Sequence, residues 1–298
     1  MKMLCFLALA ALAFAQDCTV PYDGMVLNES TALCPGTYYV PNADYEGAIK
    51  ISTSGVELDC NGATLIGDEM GKAVVISGRA GEPLSGISIR NCDFRDYAVG
   101  IFAKEEYDVG PGTSWNYCSG LSCLDRHKGI FLNLKITGNR ISGGYDGITL
   151  ECVTGGTVEG NRISNLRQSA IRTFNSKGVS IANNRVSGVG SVLGLYWGSE
   201  NMVITGNALS GTVGITGWAM DTYIAGNTID ADNSGISLGD ATCGSSSDHV
   251  VIFNNVIRNA ANGIVFHGVG RRMVEANFFE DVGMEIRVND APLGGCFK

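Results

Sequence analysis

The chain has 298 residues, 45% of them hydrophobic and 17% charged, with a formal net charge of −9. That is enough apolar material for a sizeable core. The acidic balance excludes a nucleic-acid binder, because such a surface repels phosphates at long range and no basic tract offsets it.

The first fifteen residues read as a leader. Lys2, an apolar run from Leu4 to Phe14 and the small-residue site Ala13-Phe14-Ala15 follow the order of a secretory signal peptide over 1–15. The run is too short to cross a bilayer core of roughly 30 Å, and no later segment approaches that length, so no stable membrane span is expected. The expectation is a secreted, extracellular or cell-surface protein, periplasmic in a Gram-negative host. Loss of Lys2 with the leader moves the charge from −9 to −10.

Export permits disulfides. Cys5 leaves with the leader. Cys18 with Cys34 would staple the N-terminal segment, and Cys118 with Cys123 would close a small loop. Cys60 and Cys92 fall at near-equivalent places in successive repeats, to pair or to stack as buried thiols, while Cys152, Cys243 and Cys296 stay unassigned. No CxxC pair occurs, which disfavours structural zinc. Asn28-Glu29-Ser30 is a glycosylation sequon, usable where the host has that machinery.

From 16 to 298 the chain reads as one β-solenoid domain. Residues 16–50 form its N-terminal cap. The stretches Val56-Glu-Leu-Asp-Cys-Asn61 and Ile87-Ser-Ile-Arg-Asn-Cys92 are the first copies of a strand that then recurs as an asparagine phrase, from Ile136-Thr-Gly-Asn-Arg-Ile141 to Val274-Glu-Ala-Asn-Phe-Phe279. Its asparagines are Asn139, Asn161, Asn184, Asn207, Asn227, Asn255 and Asn277, spaced by 20 to 28 residues. A fixed period in this range means a solenoid. The asparagine reads as a ladder residue at a turn, its amide bonding along the stack.

A second phrase, a small residue then an aliphatic one, appears as Gly100-Ile101, Gly147-Ile148, Ala170-Ile171, Gly194-Leu195, Gly214-Ile215, Gly235-Ile236 and Gly263-Ile264. Each coil therefore holds at least two short strands separated by Gly, Asn, Asp and Ser turns, with no helical periodicity. The predicted fold is all-β: a single-stranded right-handed parallel β-helix of about ten coils, spaced at about 4.8 Å. Loop insertions at 104–128 and 240–249 interrupt two coils at the same place and project from one side. Residues 284–298 make the C-terminal cap.

The stretch Val56-Glu-Leu-Asp-Cys-Asn-Gly-Ala-Thr-Leu65, the stretch Ile87 to Cys92 and the two recurring phrases resemble the pectin-lyase-like superfamily. The chain is more closely similar to the exported parallel β-helix repeat proteins of the type named for the periplasmic copper-loading protein of nitrous oxide reductase. The resemblance covers nearly all of the mature chain and implies fold, not activity. The superfamily's enzyme signatures do not carry over. The Arg-x-Pro-x-x-Arg of pectate lyases and the Asp-Pro-His-Asp of alginate epimerases are absent. Of the polygalacturonase elements only Phe266-His267-Gly268 with Arg271 and Arg272 is similar. Copper delivery would want a Met/His/Cys set, whereas the eight methionines are scattered and the three histidines lie far apart. No metal site and no cofactor is evident; Ca²⁺ comes into consideration only with a polyuronate ligand.

Alternation along the Gly-Ile strand predicts two outward columns. The first reads Phe102, Thr149, Arg172, Tyr196, Thr216, Ser237, Val265, Arg287, and the second Lys104, Glu151, Phe174, Gly198, Trp218, Gly239, His267. With Tyr107, Trp115 and Tyr117 of the first insertion, this face suits a sugar chain stacked on rings and hydrogen-bonded by Arg, His and hydroxyls. The substrate-binding candidates are Glu151, Arg172, Phe174, Tyr196, Trp218, Trp115 and Tyr117. A second cluster gathers Trp218, Asp221, Asp240, Asp248, His249, His267, Arg271 and Arg272, with Gly239 leaving room for a pocket between Trp218 and His267. From it His267, Asp240, Asp221 and Arg271 are the catalytic candidates, Asp221 and Asp240 as a carboxylate pair or His267 as the base of a β-elimination. Arg172 with Tyr196 is the alternative base and acid. The leading expectation is polysaccharide binding along the Gly-Ile face. A polysaccharide lyase or glycosidase, and a non-catalytic structural or adhesive surface protein, are the alternatives.

Overall fold

The computed structural model describes residues 18–42, 46–79, 81–105, 130–239, 247–268 and 270–289. The leader, the disulfide expected between Cys118 and Cys123, and Asp240, Trp115 and Tyr117 lie outside the described residues, as do 106–129 and 240–246 of the two insertions. Every pairing between described strands is parallel, apart from one isolated bridge, and no helix occurs among them. Hence no helix there is long and apolar enough to cross a membrane.

The chain winds as a β-solenoid of about ten turns. Each regular coil has three strand segments, one more than the two phrases require. In one coil these are Phe131–Thr137, Arg140–Ser142 and Asp146–Glu151. The first joins an 11-stranded sheet, and the other two join an 18-stranded sheet that bends around the opposite side. In later coils the second and third segments fuse into the long strands Arg185–Tyr196, Ala208–Gly217 and Thr228–Leu238.

Alternation puts Ile148, Leu150, Ile171, Leu193, Leu195, Ile215, Ile236 and Leu238 inside, where they stack in two buried columns, Ile148-Ile171-Leu193-Ile215-Ile236 and one that holds Leu150, Leu195 and Leu238. At the corner after the first strand, the residue preceding each ladder asparagine takes a left-handed backbone: Gly138, Gly160, Asn183, Gly206, Gly226, Asn254 and Ala276 all have φ between 51° and 65°. This is why the phrase favours Gly or Asn there, with Ala276 the exception. The asparagine then turns inward. Asn184, almost fully buried, donates from Nδ2 to Val158 O at 2.8 Å and to Asn207 Oδ1 at 3.0 Å. Its Oδ1 accepts from the N–H and Nδ2 of Asn161, both at 3.0 Å. The same pattern runs from Asn139 to Asn277. No polar atom of the inner amides is left unpaired, so the column is scaffold, as the phrase predicts.

Below Asn139 the ladder ends in sulfur. The Cys92 N–H donates to Asn139 Oδ1, and Cys92 is disulfide-bonded to Cys60 of the coil beneath. Cys18 is bonded to Cys34 as expected, and Cys152 is disulfide-bonded too. The N-terminal segment already winds with the solenoid: Met25–Leu27 pairs with Ile49–Ile51, and Thr37–Tyr39 with Thr64–Ile66. Met284–Asn289 closes the described chain as a last strand on Asn262–His267.

One register differs from the sequence reading. Ile171 pairs with Leu193, not Leu195, so Gly194 stands in the first outward column beside Arg172. Tyr196 moves to the second, opposite Phe174, and displaces Gly198, which lies in the following turn. The run Val192-Leu193-Gly194-Leu195 permits both alignments, because a slip of two residues keeps the same side chains inside. The structure selects the one that packs: a Cβ on Gly194 would lie 2.4 Å from the Tyr196 ring, so only glycine lets that ring fold back over the strand.

Candidate functional site

The Gly-Ile strands form one continuous outward face. Its second column runs through Glu151, Phe174 and Tyr196. Trp218 stands one residue beyond the Leu195–Gly217 pair and donates its backbone N–H to Leu195 O at 2.7 Å. The Phe174 and Tyr196 rings are stacked, with centroids 5.2 Å apart and planes at 26°. Trp197 meets the Phe174 edge at 5.4 Å. Three aromatic side chains from two coils thus make a ridge, with Arg172 5.7 Å from the Phe174 ring centroid, and Trp218 holds the next position of the same column.

Beside the ridge the face is polar, yet dry. Asp146 forms an ion pair with Arg172 and accepts the Ser169 N–H at 3.2 Å. Burial pushes the Asp146 carboxyl above its ordinary value, against the opposing pull of Arg172 and the Ser169 N–H. Thr149 and Glu151 point away from the core but are buried, at 4% and 7% exposure. Glu151 is already engaged in an interaction. Thr149 Oγ1, Arg172 Nε and Ser191 Oγ are buried without a hydrogen-bond partner. Such atoms forfeit about 1–3 kcal/mol each. The Arg172 side chain, 21% exposed, is the part of this group that a ligand can reach.

Asp146 and Ser191 belong to a third outward column that the sequence reading passed over: Asp146, Ser169, Ser191, Val213, Ser234, Asn262. The signal was available, since these residues directly precede the small residue of the Gly-Ile phrase or its in-register equivalent. Trp197, at φ 50°, was also missed, because it sits at a turn beyond the strand alternation.

Toward the C-terminal coils the face opens into a cleft of about 350 Å³. It is lined by Thr216, Ser234, Ser237, Asn262, His267, Arg287 and Asn289, among others. His267 Nδ1 lies 3.2 Å from Asn289 Nδ2. The pocket expected between Trp218 and His267 is not where Gly239 was expected to leave it. A Cβ on Gly239 would sit 2.0 Å from His267 O, so that glycine is filled by its neighbour's backbone, and the cleft lies along the first and third columns.

The catalytic candidates divide. Asp221, Asp248, His249 and Arg271 meet at an exposed corner, with His249 Nδ1 at 3.6 Å from Asp221 and 3.2 Å from Asp248. Arg271 donates its backbone N–H to Asp248 at 2.7 Å, and this bond, with the nearby cations, holds that carboxyl below its ordinary value. Among the described residues no hydrogen bond or ion pair joins His267 to Asp221 or Arg271. Arg272 instead lies 4.3 Å from the Phe266 ring centroid.

Solved structures share this fold. The chain has 15% identity and a TM-score of 0.55 to the enzymatically active domain of tailspike protein 2 from bacteriophage CBA120, covering 85% of itself and 38% of that chain. It has 11% identity and a TM-score of 0.52 to DFA-IIIase from Arthrobacter chlorophenolicus A6, solved with DFA-III, covering 88% and 68%. For the surface adhesin PfbA of Streptococcus pneumoniae the values are 13% and 0.46, covering 90% of both chains. No curated protein matches the chain. Fold and face together define a right-handed parallel β-helix protein of the pectin-lyase-like kind. Within that class the model of the periplasmic copper-binding protein NosD matches residues 48–211 and 114–290, and the chain belongs to the NosD family.

Copper, which the family's description names, finds no fitting donor set among the described residues. Their five cysteines are all disulfide-bonded, and no group of three or more His, Cys, Asp or Glu is arranged to hold a metal. The disulfides themselves fit an oxidising compartment.

Proposed function

We propose that this protein is exported and binds polysaccharide along the outward face of its Gly-Ile strands. The observation that carries the reading is the ridge of Phe174, Tyr196 and Trp197 beside the part-exposed Arg172, with Trp218 next in the column. Sugar rings stack their CH faces on the ridge, while their hydroxyls reach the exposed part of the Arg172 guanidinium. The C-terminal cleft offers a second subsite of amides, hydroxyls, His267 and Arg287. A polyuronate would add carboxylates, with Ca²⁺ offsetting the negative field of the chain.

The test is retention of the purified protein on a panel of neutral glycans and polyuronates. Retention should fall about tenfold in Trp218→Ala, the loss of roughly one stacked ring. No retention on any glycan would sink the reading and leave a structural or adhesive role. The placement of His267 in a cleft favours one second reading, in which it acts as the base of a β-elimination on a uronate. New ultraviolet absorbance from unsaturated product, lost in His267→Ala with an unchanged melting temperature, would establish it.

A further inference from the structure

A different face of the solenoid carries three arginines in register. Arg140, Arg162 and Arg185 begin the short strand after the asparagine corner, and they pair directly across adjacent coils at a spacing of about 4.8 Å. All three are exposed. The row is bounded by Asp93 below, which is ion-paired at 2.6 Å with Arg95, and by Ala208 above. Several other arginines of this acidic chain are neutralised. Arg90 binds Glu57 and Asp59, Arg167 binds Glu69, Arg172 binds Asp146, and Arg258 binds Glu280. None of the three ladder arginines forms an ion pair with an acid among the described residues.

Like charges directly opposite one another in a sheet are destabilising. Three in a row, in a chain with an excess of carboxylates, is an arrangement that folding alone does not favour. Between them lies a groove of about 190 Å³, lined by Arg140, Arg162, Arg185, Ser164 and Ser187. The serines belong to the next outward column, Ser142, Ser164, Ser187, two residues beyond each arginine on the same strand. A guanidinium presents a planar fork of donors that matches a carboxylate or a sulfate bidentately.

We infer that this ladder binds a linear anionic polysaccharide lying along the solenoid axis, with successive carboxylates or sulfate esters on successive arginines. A single exposed arginine holds an anion weakly. A rigid row whose repeat is close to the length of one sugar ring gains from multivalent attachment. The site is separate from the aromatic face and does not depend on it.

The full-length mature protein would be run by affinity electrophoresis in gels containing polygalacturonate, dextran sulfate or neutral dextran, with single-stranded DNA as a competitor. Retardation by polygalacturonate or by dextran sulfate is expected, and the more effective one identifies the anion. Arg162→Gln and the double variant Arg140→Gln/Arg185→Gln should each weaken it at least tenfold, with Arg162→Lys intermediate because charge remains and the fork is lost. Melting temperatures should hold or rise as like charges are removed. Both glutamine variants should keep the wild-type retention on neutral glycans that the aromatic face gives, so the two sites fail separately. The inference is overturned if the wild-type protein is not retarded by either polyanion at low ionic strength. It is equally overturned if both glutamine variants behave as wild type, or if DNA is bound in preference.

Discussion

Replacing Asn184 by Asp changes one NH₂ for an oxygen at nearly constant volume, and so isolates the chemistry of the ladder from its packing. In the wild-type chain Nδ2 supplies two hydrogens, to Val158 O and to Asn207 Oδ1. An ionised carboxylate would face both acceptors with a third, in a site 1% exposed. It therefore protonates in the folded state, which restores one of the two donors. The missing donor costs about 1–3 kcal/mol. Holding the proton at pH 7, against an ordinary Asp value of about 3.9, costs about 4 kcal/mol at 1.36 kcal/mol per unit. The sum, roughly 5–7 kcal/mol, rivals the whole net stability of a typical domain. The pH dependence gives the signature. The variant's folded-state pKa is raised, so its stability is closest to wild type below about pH 4 and falls as pH rises toward the folded value. Circular-dichroism melts of both proteins from pH 3.5 to 8 measure this, and hydrogen exchange shows whether the loss is confined to neighbouring coils, as nearest-neighbour stacking implies. A difference under about 1 kcal/mol at pH 7, or one that does not widen with pH, would refute the claim that the column is dry and fully satisfied.

Two further outcomes follow from the same geometry. Ala276 is the one alanine in the left-handed corner column, at φ 55°, and relieving that conformation with Ala276→Gly should stabilise the protein by about 0.5–1 kcal/mol in a urea melt. Arg172→Met leaves the buried Asp146 carboxyl without its ion-pair partner, at a cost of about 2–4 kcal/mol at pH 7. Burial already raises that carboxyl in the folded chain, and removing Arg172 raises it further. The variant should therefore regain stability as pH falls through the folded value, and a deficit independent of pH would contradict it.

The architecture was legible because a solenoid repeats its constraints. Seven asparagines preceded mostly by Gly or Asn specify both the inward amide and the left-handed corner, and the coordinates bear out each of them. Lateral register was less legible. Leu193 and Leu195 present the same face to the core, and only the space above Gly194 decides between them. The aromatic ridge was half visible: Phe174, Tyr196 and Trp218 follow from alternation, whereas Trp197 enters from a turn. Asp146 escaped because an acid before Gly147 reads as a turn residue, while in the folded chain it is buried against Arg172. The arginine row stood in plain view as Asn-Arg-Ile, Asn-Arg-Ile and Asn-Arg-Val, but its meaning depends on the absence of acid partners, which a sequence does not display. The cluster of Asp221, His267 and Arg271 was too coarse, since residues a few places apart at a coil corner face different sides.

Inward columns carry stability here and outward columns carry chemistry, so most substitutions should move one property without the other. Asn184 is buried in the corner column, and Trp218 and Arg162 lie on outward faces, so their effects should add. Arg172 is the exception. It points outward, as a binding surface must, yet it also neutralises the buried Asp146 carboxyl, so one side chain serves both properties. A glycan that accepts from the exposed part of its guanidinium binds only the folded state. It should therefore raise the melting temperature in proportion to the logarithm of its concentration above Kd. The same glycan should shift Arg172→Met far less. A ligand held only by the aromatic ridge would stabilise both proteins equally, which separates stacking from the polar contacts of Arg172.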